Sequence, residues 1–146
     1  MIIIKNDNSI ELKNKIHAGL RENNRSKCKW LKENISADIT KKDFIPMNFL
    51  AYDNERLIGG AIGFVEYNWY YLDLLWIDEQ YRRIGVGTNL IRIIEKFAMS
   101  KKLTGVRVET WDFQARGFYE KMGYKIFGKI NNCPPGTICY FLNKYF

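Results

Sequence analysis

A strand that passes through a glycine turn into an amphipathic helix dominates the middle of the chain, from Tyr70 to Met99. The run Tyr70–Ile77 is aromatic, branched and of strand length. The residues after the turn place Val86, Leu90, Ile94 and Phe97 on one helical stripe. The first N–H groups of a helix have no partner inside it, and glycines let an anion approach the backbone closely. The turn between strand and helix is therefore predicted to bind a phosphate or pyrophosphate.

Two common phosphate-binding motifs do not fit this turn. The dinucleotide fingerprint requires a third glycine where this sequence has Leu90, and the loop of nucleotide hydrolases requires a lysine between Gly87 and Thr88. The pattern Arg82-x-x-Gly85-x-Gly87, placed between strand and helix, instead resembles the acyl-CoA pyrophosphate loop of the GCN5-related N-acetyltransferase (GNAT) family. Taken alone, the motif also allows a basic turn that binds no ligand.

A second motif follows the predicted strand Val106–Thr110. The spacing Asp112-x-x-Ala115-x-x-Phe118-Tyr119-x-x-x-Gly123-Tyr124 resembles the family pattern Asn-x-x-Ala-x-x-Phe-Tyr-x-x-x-Gly-Phe/Tyr. Two independent motifs in the family's order extend the resemblance along the whole chain. Asp112 departs from the usual asparagine, and an ionised carboxylate accepts hydrogen bonds but cannot donate them. Whether Asp112 contacts the cofactor is thus open, whereas Asp112 is still predicted to cap the helix that follows.

The succession of predicted elements, with the resemblance, implies an α/β protein of the acyl-CoA N-acyltransferase (GNAT) fold. We expect a mixed, mostly antiparallel central sheet of six or seven strands flanked by helices. Strand Val106–Thr110 should lie parallel to the central strand because a helix connects them. Residues 46–77 should form a three-stranded antiparallel meander, which begins with the strand Pro46–Tyr52.

The ends of the chain are predicted in less detail. Met1–Lys5 is expected to form a first strand, followed by a helix that Ser9 caps. Residues 21–45 are polar and weakly periodic, so both a short second helix and a loop are possible. Two final strands are predicted at 124–127 and 137–142.

Composition limits the alternatives. A chain of 146 residues with 47% hydrophobic residues predicts a single N-acetyltransferase domain over 1–146. No apolar run approaches the length of a membrane span. Three cysteines without metal spacing predict a reduced, cytoplasmic setting and no metal. The net charge of +7 is compatible with nucleic-acid binding, but the basic residues are scattered, which disfavours that partner. A homodimer is left open.

The resemblance implies that an acetyl group passes directly from acetyl-CoA to a primary amine of a small molecule or peptide. It implies that the backbone of Leu75–Ile77 pairs with the pantetheine arm, and that the turn after it binds the pyrophosphate. The cofactor-binding residues so predicted are Leu75, Trp76, Ile77, Arg82, Arg83, Ile84, Gly85, Val86, Gly87, Thr88, Asp112, Phe118 and Tyr119. The alternative is an acyl-CoA-binding regulatory or interaction module on the same fold, without transfer.

Tyr119 matches the family tyrosine that acts as general acid toward the departing CoA thiolate. The alternative is that Tyr119 is a core aromatic on the apolar stripe of its helix, but Phe118 beside it can fill the core, which favours the acid role.

The general base is less defined, because Tyr71 stands where histone-type family members carry a glutamate. Asp73 lies within an apolar strand, where a carboxylate is unusual and suggests a specific role. Strand alternation predicts that Asp73 lies on the same face as Leu75 and Ile77. We predict that Asp73 or Glu109 relays the amine proton through water. Glu66 is a further candidate, and a structural role is the alternative for each carboxylate.

Overall fold

The computed structural model describes residues 1–146 and divides into two compact units, Met1–Asp43 and Phe44–Phe146. The single domain predicted over 1–146 stays a prediction, and the two units are described separately.

The first unit is helical. Helix α1 spans Ile10–Lys27 and helix α2 spans Lys29–Asn34. The predicted strand Met1–Lys5 is wrong, because residues 1–9 form no regular secondary structure. An apolar run becomes a strand only where a neighbour completes its backbone hydrogen bonds. Ser9 is the N-cap of α1 as predicted, but its side chain makes no capping hydrogen bond.

Arg21, rather than an apolar residue, is the buried side chain of α1. Its guanidinium donates hydrogen bonds to the carbonyl oxygens of Ser36 and Asp38, at 3.2 and 3.0 Å. It also forms an ion pair with Asp43. The Arg21 side chain therefore holds the loop after α2 against α1, and Asp43 balances its positive charge within the unit.

The second unit is built on a seven-stranded sheet. The strands are β1 Ile45–Pro46, β2 Phe49–Asp53, β3 Arg56–Glu66, β4 Trp69–Ile77, β5 Gly105–Trp111, β6 Lys125–Asn131 and β7 Ile138–Tyr145. Strands β1 and β2 both pair with β3, and from β3 the sheet continues in the order β3-β4-β5-β7-β6. Only β4 and β5 are parallel, so the predicted mixed, mostly antiparallel sheet is confirmed.

The predicted single strand Pro46–Tyr52 is interrupted into β1 and β2. Between them, Met47 N–H donates to the carbonyl of Gly63, and the side-chain oxygen of Asn48 accepts from Gly63 N–H. An asparagine side chain thus replaces a backbone partner, and Pro46 has no N–H to continue the ladder. The rest of the predicted meander, formed by β2, β3 and β4, is confirmed.

Two helices follow the sheet strands, α3 at Val86–Ser100 and α4 at Arg116–Lys121. Helix α3 confirms the helix predicted from its apolar stripe. The core packs α3 and α4 against the sheet, and its fully buried members contribute roughly 1.5–3 kcal/mol each. These members include Tyr70, Leu72, Ile91, Ile94, Val106 and Leu142.

A β-bulge lies in the middle of β4. Ile62 pairs with Leu74 whereas the next residue, Gly63, pairs with Leu72, so Asp73 is the extra residue. Leu72 and Leu75 consequently both contact the core although they are three residues apart. The prediction that Asp73 shares a strand face with Leu75 and Ile77 is therefore wrong.

Gly63 explains why the bulge can form here. A Cβ atom at this position would lie 2.5 Å from the hydroxyl oxygen of Tyr70 and from the carbonyl oxygen of Tyr71. The backbones of β3 and β4 therefore approach closely at Gly63, where only a glycine leaves enough room.

Candidate active site

The parallel strands β4 and β5 separate halfway along their length. They pair from Trp69 and Gly105 as far as Leu72 and Val108, and no further. Beyond that point β4 still pairs with β3 through Ile77, but its other edge has no strand beside it. A cleft of about 990 Å³ occupies the gap. Its wall therefore offers unpaired backbone groups to any extended molecule that enters.

A tight turn joins the end of β4 to α3. Gly85 is the N-cap of α3 and has φ +93°, a left-handed conformation that favours glycine. Arg83 is also left-handed, with φ +62°. The Arg82 side chain donates from Nε to the carbonyl oxygen of Ile77 at 2.9 Å, which anchors the turn to the strand. The first N–H groups of α3 are thus held at the mouth of the cleft, where an anion would be stabilised.

Most of the residues predicted to form the site line this cleft. Ile84 and Val86 do not: Ile84 is 68% exposed, and Val86 begins α3. The predicted residues that line the cleft are Asp73, Leu75, Trp76, Ile77, Arg82, Arg83, Gly85, Gly87, Thr88, Glu109, Phe118 and Tyr119.

Asp112 is engaged elsewhere. Its backbone N–H donates to the carbonyl of Ile138 at 3.0 Å, and its carboxylate accepts from Ile138 N–H at 3.3 Å. The N-cap of α4 is Ala115, so the predicted cap at Asp112 is wrong. Asp112 joins the end of β5 to β7 and does not line the cleft.

Tyr119 lies at the boundary between core and cleft. It is 4% exposed, and its ring contacts those of Phe118 and Tyr124. It also lines the cleft, so both roles weighed for it are compatible with its position. Burial raises the pKa of Tyr119 above its usual value, which keeps the hydroxyl protonated near neutral pH.

The candidate carboxylates differ in their surroundings. Asp73 and Glu109 line the cleft, whereas Glu66 does not and instead lies 3.9 Å from Arg107. The Arg107 guanidinium in turn lies 4.9 Å from the ring centroid of Tyr71. Burial first, and then a hydrogen bond to Glu109, raises the pKa of Tyr71 to about 12, so Tyr71 is neutral. Asp73 and Glu109 are therefore the carboxylates available in the cleft.

Part of the cleft wall lies just after β5 and was not predicted from the sequence. Phe113 and Gln114 line the cleft. The Gln114 side-chain oxygen accepts from the backbone N–H of Trp111 at 3.0 Å and lies 3.2 Å from the Thr110 hydroxyl. These contacts depend on the conformation of the loop after β5, so no residue spacing in the sequence predicts them.

No group of three or more histidine, cysteine, aspartate or glutamate side chains is arranged to hold a metal ion. None of the helices combines the length and apolarity needed to cross a membrane.

A mixed sheet that opens between two parallel strands, with a glycine turn and helix start at the opening, defines an acyl-CoA N-acyltransferase fold. A sequence profile of the Acetyltransferase (GNAT) family matches residues 12–124. The chain belongs to this family, as its two motifs predicted.

Individual relatives agree with this assignment. A blasticidin-S acetyltransferase of Streptomyces morookaense is 43% identical over 90 residues, which cover 61% of this chain and 66% of that protein, just under two thirds of its length. A crystal structure of an acetyltransferase from Bacillus cereus superposes with a TM-score of 0.77 at 26% identity, covering 99% of this chain and 98% of the other. Arabidopsis thaliana Naa50 in complex with the bisubstrate analogue CoA-Ac-MVNAL gives a TM-score of 0.58 at 26% identity, covering 68% and 72%.

Proposed function

We propose that this protein is an acetyl-CoA-dependent N-acetyltransferase that moves an acetyl group directly to a primary amine of a small molecule or peptide. The observation that carries the proposal is the separation of β4 from β5 after Leu72 and Val108. It leaves a strand edge that leads from the Arg82–Thr88 turn toward Asp73 and Glu109.

Each part of acetyl-CoA has a counterpart along this path. The pyrophosphate would bind at the start of α3, where Arg83 lines the cleft and could supply a counter-charge. Arg82 would hold the turn in place through its bond to Ile77. The amides of the pantetheine arm would pair, as an added strand does, with the backbone groups of Leu75–Ile77 on the open edge of β4, except for the Ile77 carbonyl, which Arg82 already engages. Phe118 packs beside Gly87 and would close the floor, since an added Cβ at Gly87 would meet its ring at 3.6 Å.

In the transfer step the amine nitrogen attacks the thioester carbonyl, so a C–N bond forms and the C–S bond breaks. A free alkylamine is mostly protonated near neutral pH, so a proton must leave first. Glu109 or Asp73 would take that proton through water, and the second proton, which the nitrogen loses on becoming an amide, would pass through water to the sulfur and give free CoA thiol. The CoA thiolate would accept a hydrogen bond from Tyr119. Because the raised pKa of Tyr119 exceeds that of a thiol, near 8.5, Tyr119 would stabilise the thiolate while keeping its own proton.

The acceptor class follows from the relatives only in outline. The relative named for blasticidin-S supports a small-molecule acceptor. The peptide-bearing analogue bound to Naa50 supports a peptide amine as the other possibility. We favour the small molecule. The proposal includes a cytoplasmic setting, which three free cysteines support, and the homodimer stays a prediction.

The test is acetyl-CoA turnover, measured as released thiol, against a panel of primary amines and short peptides. Tyr119→Phe should lower kcat by roughly 100-fold, because it removes the donor to the leaving thiolate but keeps the ring. The matched control is Tyr124→Phe, which removes a hydroxyl from a neighbouring tyrosine that does not line the cleft. The control should retain the parent kcat.

The outcomes separate the two functions. Thiol release that requires an amine and falls in Tyr119→Phe alone supports the transferase. Tight acetyl-CoA binding with no release on any amine would favour an acyl-CoA-binding module. Absence of acetyl-CoA binding would contradict the assignment of the Arg82–Thr88 turn.

A further inference from the structure

Two exposed aromatic rings, one on the last residue of β5 and one two residues beyond it, form a stacked pair. The rings of Trp111 and Phe113 have centroids 5.5 Å apart and planes inclined by 20°. Trp111 is 38% exposed and Phe113 is 64% exposed. Aromatic surface of this size would contribute more to stability if it were buried, so a pair held out in solvent at a cleft calls for a binding role.

The pair is held in place by polar contacts. The indole Nε1–H of Trp111 donates to the carbonyl oxygen of Cys133 at 2.8 Å, in the loop between β6 and β7. The backbone N–H of Trp111 donates to the Gln114 side chain at 3.0 Å. The ring plane of Trp111 is thus fixed before any ligand arrives, which lowers the entropy cost of stacking a ligand on it.

The stacked pair begins beside a carboxylate of the cleft. Val108 and Thr110 of β5 are buried, and the alternate residues Glu109 and Trp111 are exposed on the opposite face. Two residues along a strand span about 7 Å. Glu109 and Phe113 both line the cleft, so the aromatic pair reaches from the strand face into it.

We propose that the Trp111–Phe113 pair is an acceptor-binding surface, and that the acceptor is an amine carrying a flat aromatic ring roughly 7 Å from its reactive nitrogen. The inference rests on the proposed function and names its substrate class. Glu109 holds the amine as the ammonium ion until its proton leaves. The ring of the acceptor then lies against the fixed aromatic pair.

The charges around Glu109 set the direction of the acceptor. Arg107 precedes Glu109 on the same face of β5, and its guanidinium covers the ring of Tyr71. Glu66, 3.9 Å away, balances part of the Arg107 charge, but the guanidinium still occupies that side of Glu109 and leaves the Trp111 side for the amine. The acceptor therefore extends from Glu109 toward Trp111.

The experiment compares phenylalkylamines of increasing linker length with n-alkylamines, with acetyl-CoA held saturating. We expect kcat/KM to be highest for the phenylalkylamine whose ring lies about 7 Å from nitrogen, roughly tenfold above the matched alkylamine. Trp111→Leu should erase that advantage and leave the KM for acetyl-CoA within twofold. Trp111→Phe, which keeps a ring, should retain part of the advantage. Tyr52→Leu, at an exposed aromatic of β2, is the control and should behave as the parent does.

Two results would overturn the inference. One is equal kcat/KM for ring-bearing and alkyl amines in the parent. The other is a Trp111→Leu variant in which only the KM for acetyl-CoA rises, because the pair would then serve the cofactor.

Calorimetry separates this inference from the proposed function. If no amine is acetylated, binding of a phenylalkylamine to the protein saturated with CoA still tests the surface. Binding that weakens about tenfold in Trp111→Leu supports the surface, and binding that is absent or unchanged contradicts it.

Discussion

Replacing Gly85 by alanine tests the turn at the mouth of the cleft. Gly85 has φ +93° and ψ 0°, and no atom lies within 4 Å of an added Cβ. The cost of the substitution is therefore conformational rather than steric, about 1–2 kcal/mol for an L-residue in the left-handed region. If the turn keeps its shape, the free energy of unfolding falls by this amount. If the turn instead relaxes to another shape, the free protein avoids this cost, but the turn must be restored to bind acetyl-CoA. The binding free energy then falls by the same amount, which weakens acetyl-CoA binding about 5–30-fold.

The assay is paired: urea denaturation of the free protein and calorimetric titration with acetyl-CoA. The losses of stability and of binding free energy should together equal about 1–2 kcal/mol. Gly87→Ala is the matched control, because Gly87 has no positive φ and its added Cβ meets Phe118 at an ordinary 3.6 Å. It should keep or raise stability by up to about 1 kcal/mol, since alanine favours a helix. A Gly85→Ala variant unchanged in both assays, or a Gly87→Ala variant destabilised equally, would refute this account of the turn.

Three further predictions concern stability. Gly105→Ala should destabilise the fold by roughly 1–3 kcal/mol in urea denaturation, because its Cβ would overlap the Lys144 carbonyl of β7; an unchanged midpoint would show that β5 and β7 can separate freely. Lys144→Met leaves the mostly buried carboxylate of Glu95 without its 2.9 Å partner and should cost roughly 3 kcal/mol. Adding Glu95→Gln should recover most of that loss, and failure to do so would argue against a charge effect. The pKa of Tyr71 is raised to about 12 in the folded chain and is near 10 in the unfolded chain. The protonated Tyr71 hydroxyl therefore stabilises the fold fully below pH 10, and this stabilisation is lost as the pH rises toward 12. Tyr71→Phe should therefore flatten the fall of unfolding free energy between pH 10 and 12, measured by urea denaturation, and an unaltered slope would contradict the shift.

The features that sequence analysis predicted correctly depend on contiguous residues. The strand, the Arg82–Thr88 turn and helix α3 follow one another directly, and each carries its own local pattern. The parallel pairing of β4 with β5 follows from the single helix between them. For the same reason, most of the predicted cofactor residues do line one cleft.

The features that it missed depend on partners distant in the chain. The bulge at Asp73 exists only in the pairing of β4 with β3, so alternation along β4 alone could not reveal it. Met1–Lys5 has the composition of a strand but no neighbouring strand to pair with. Aspartate often caps a helix, but the Asp112 carboxylate instead accepts a hydrogen bond from the backbone N–H of Ile138, a residue distant in the sequence.

The gap between β4 and β5 has a consequence for the free protein as well as for the proposed acetyl transfer. An unpaired strand edge is a template for association with other chains, and proteins usually cover or charge such edges. Here the edge beyond Leu72 stands open inside the sheet. If acetyl-CoA pairs with it, the cofactor also protects the protein from self-association. We therefore expect the solubility of the purified protein, measured by light scattering on concentration, to rise when CoA is added.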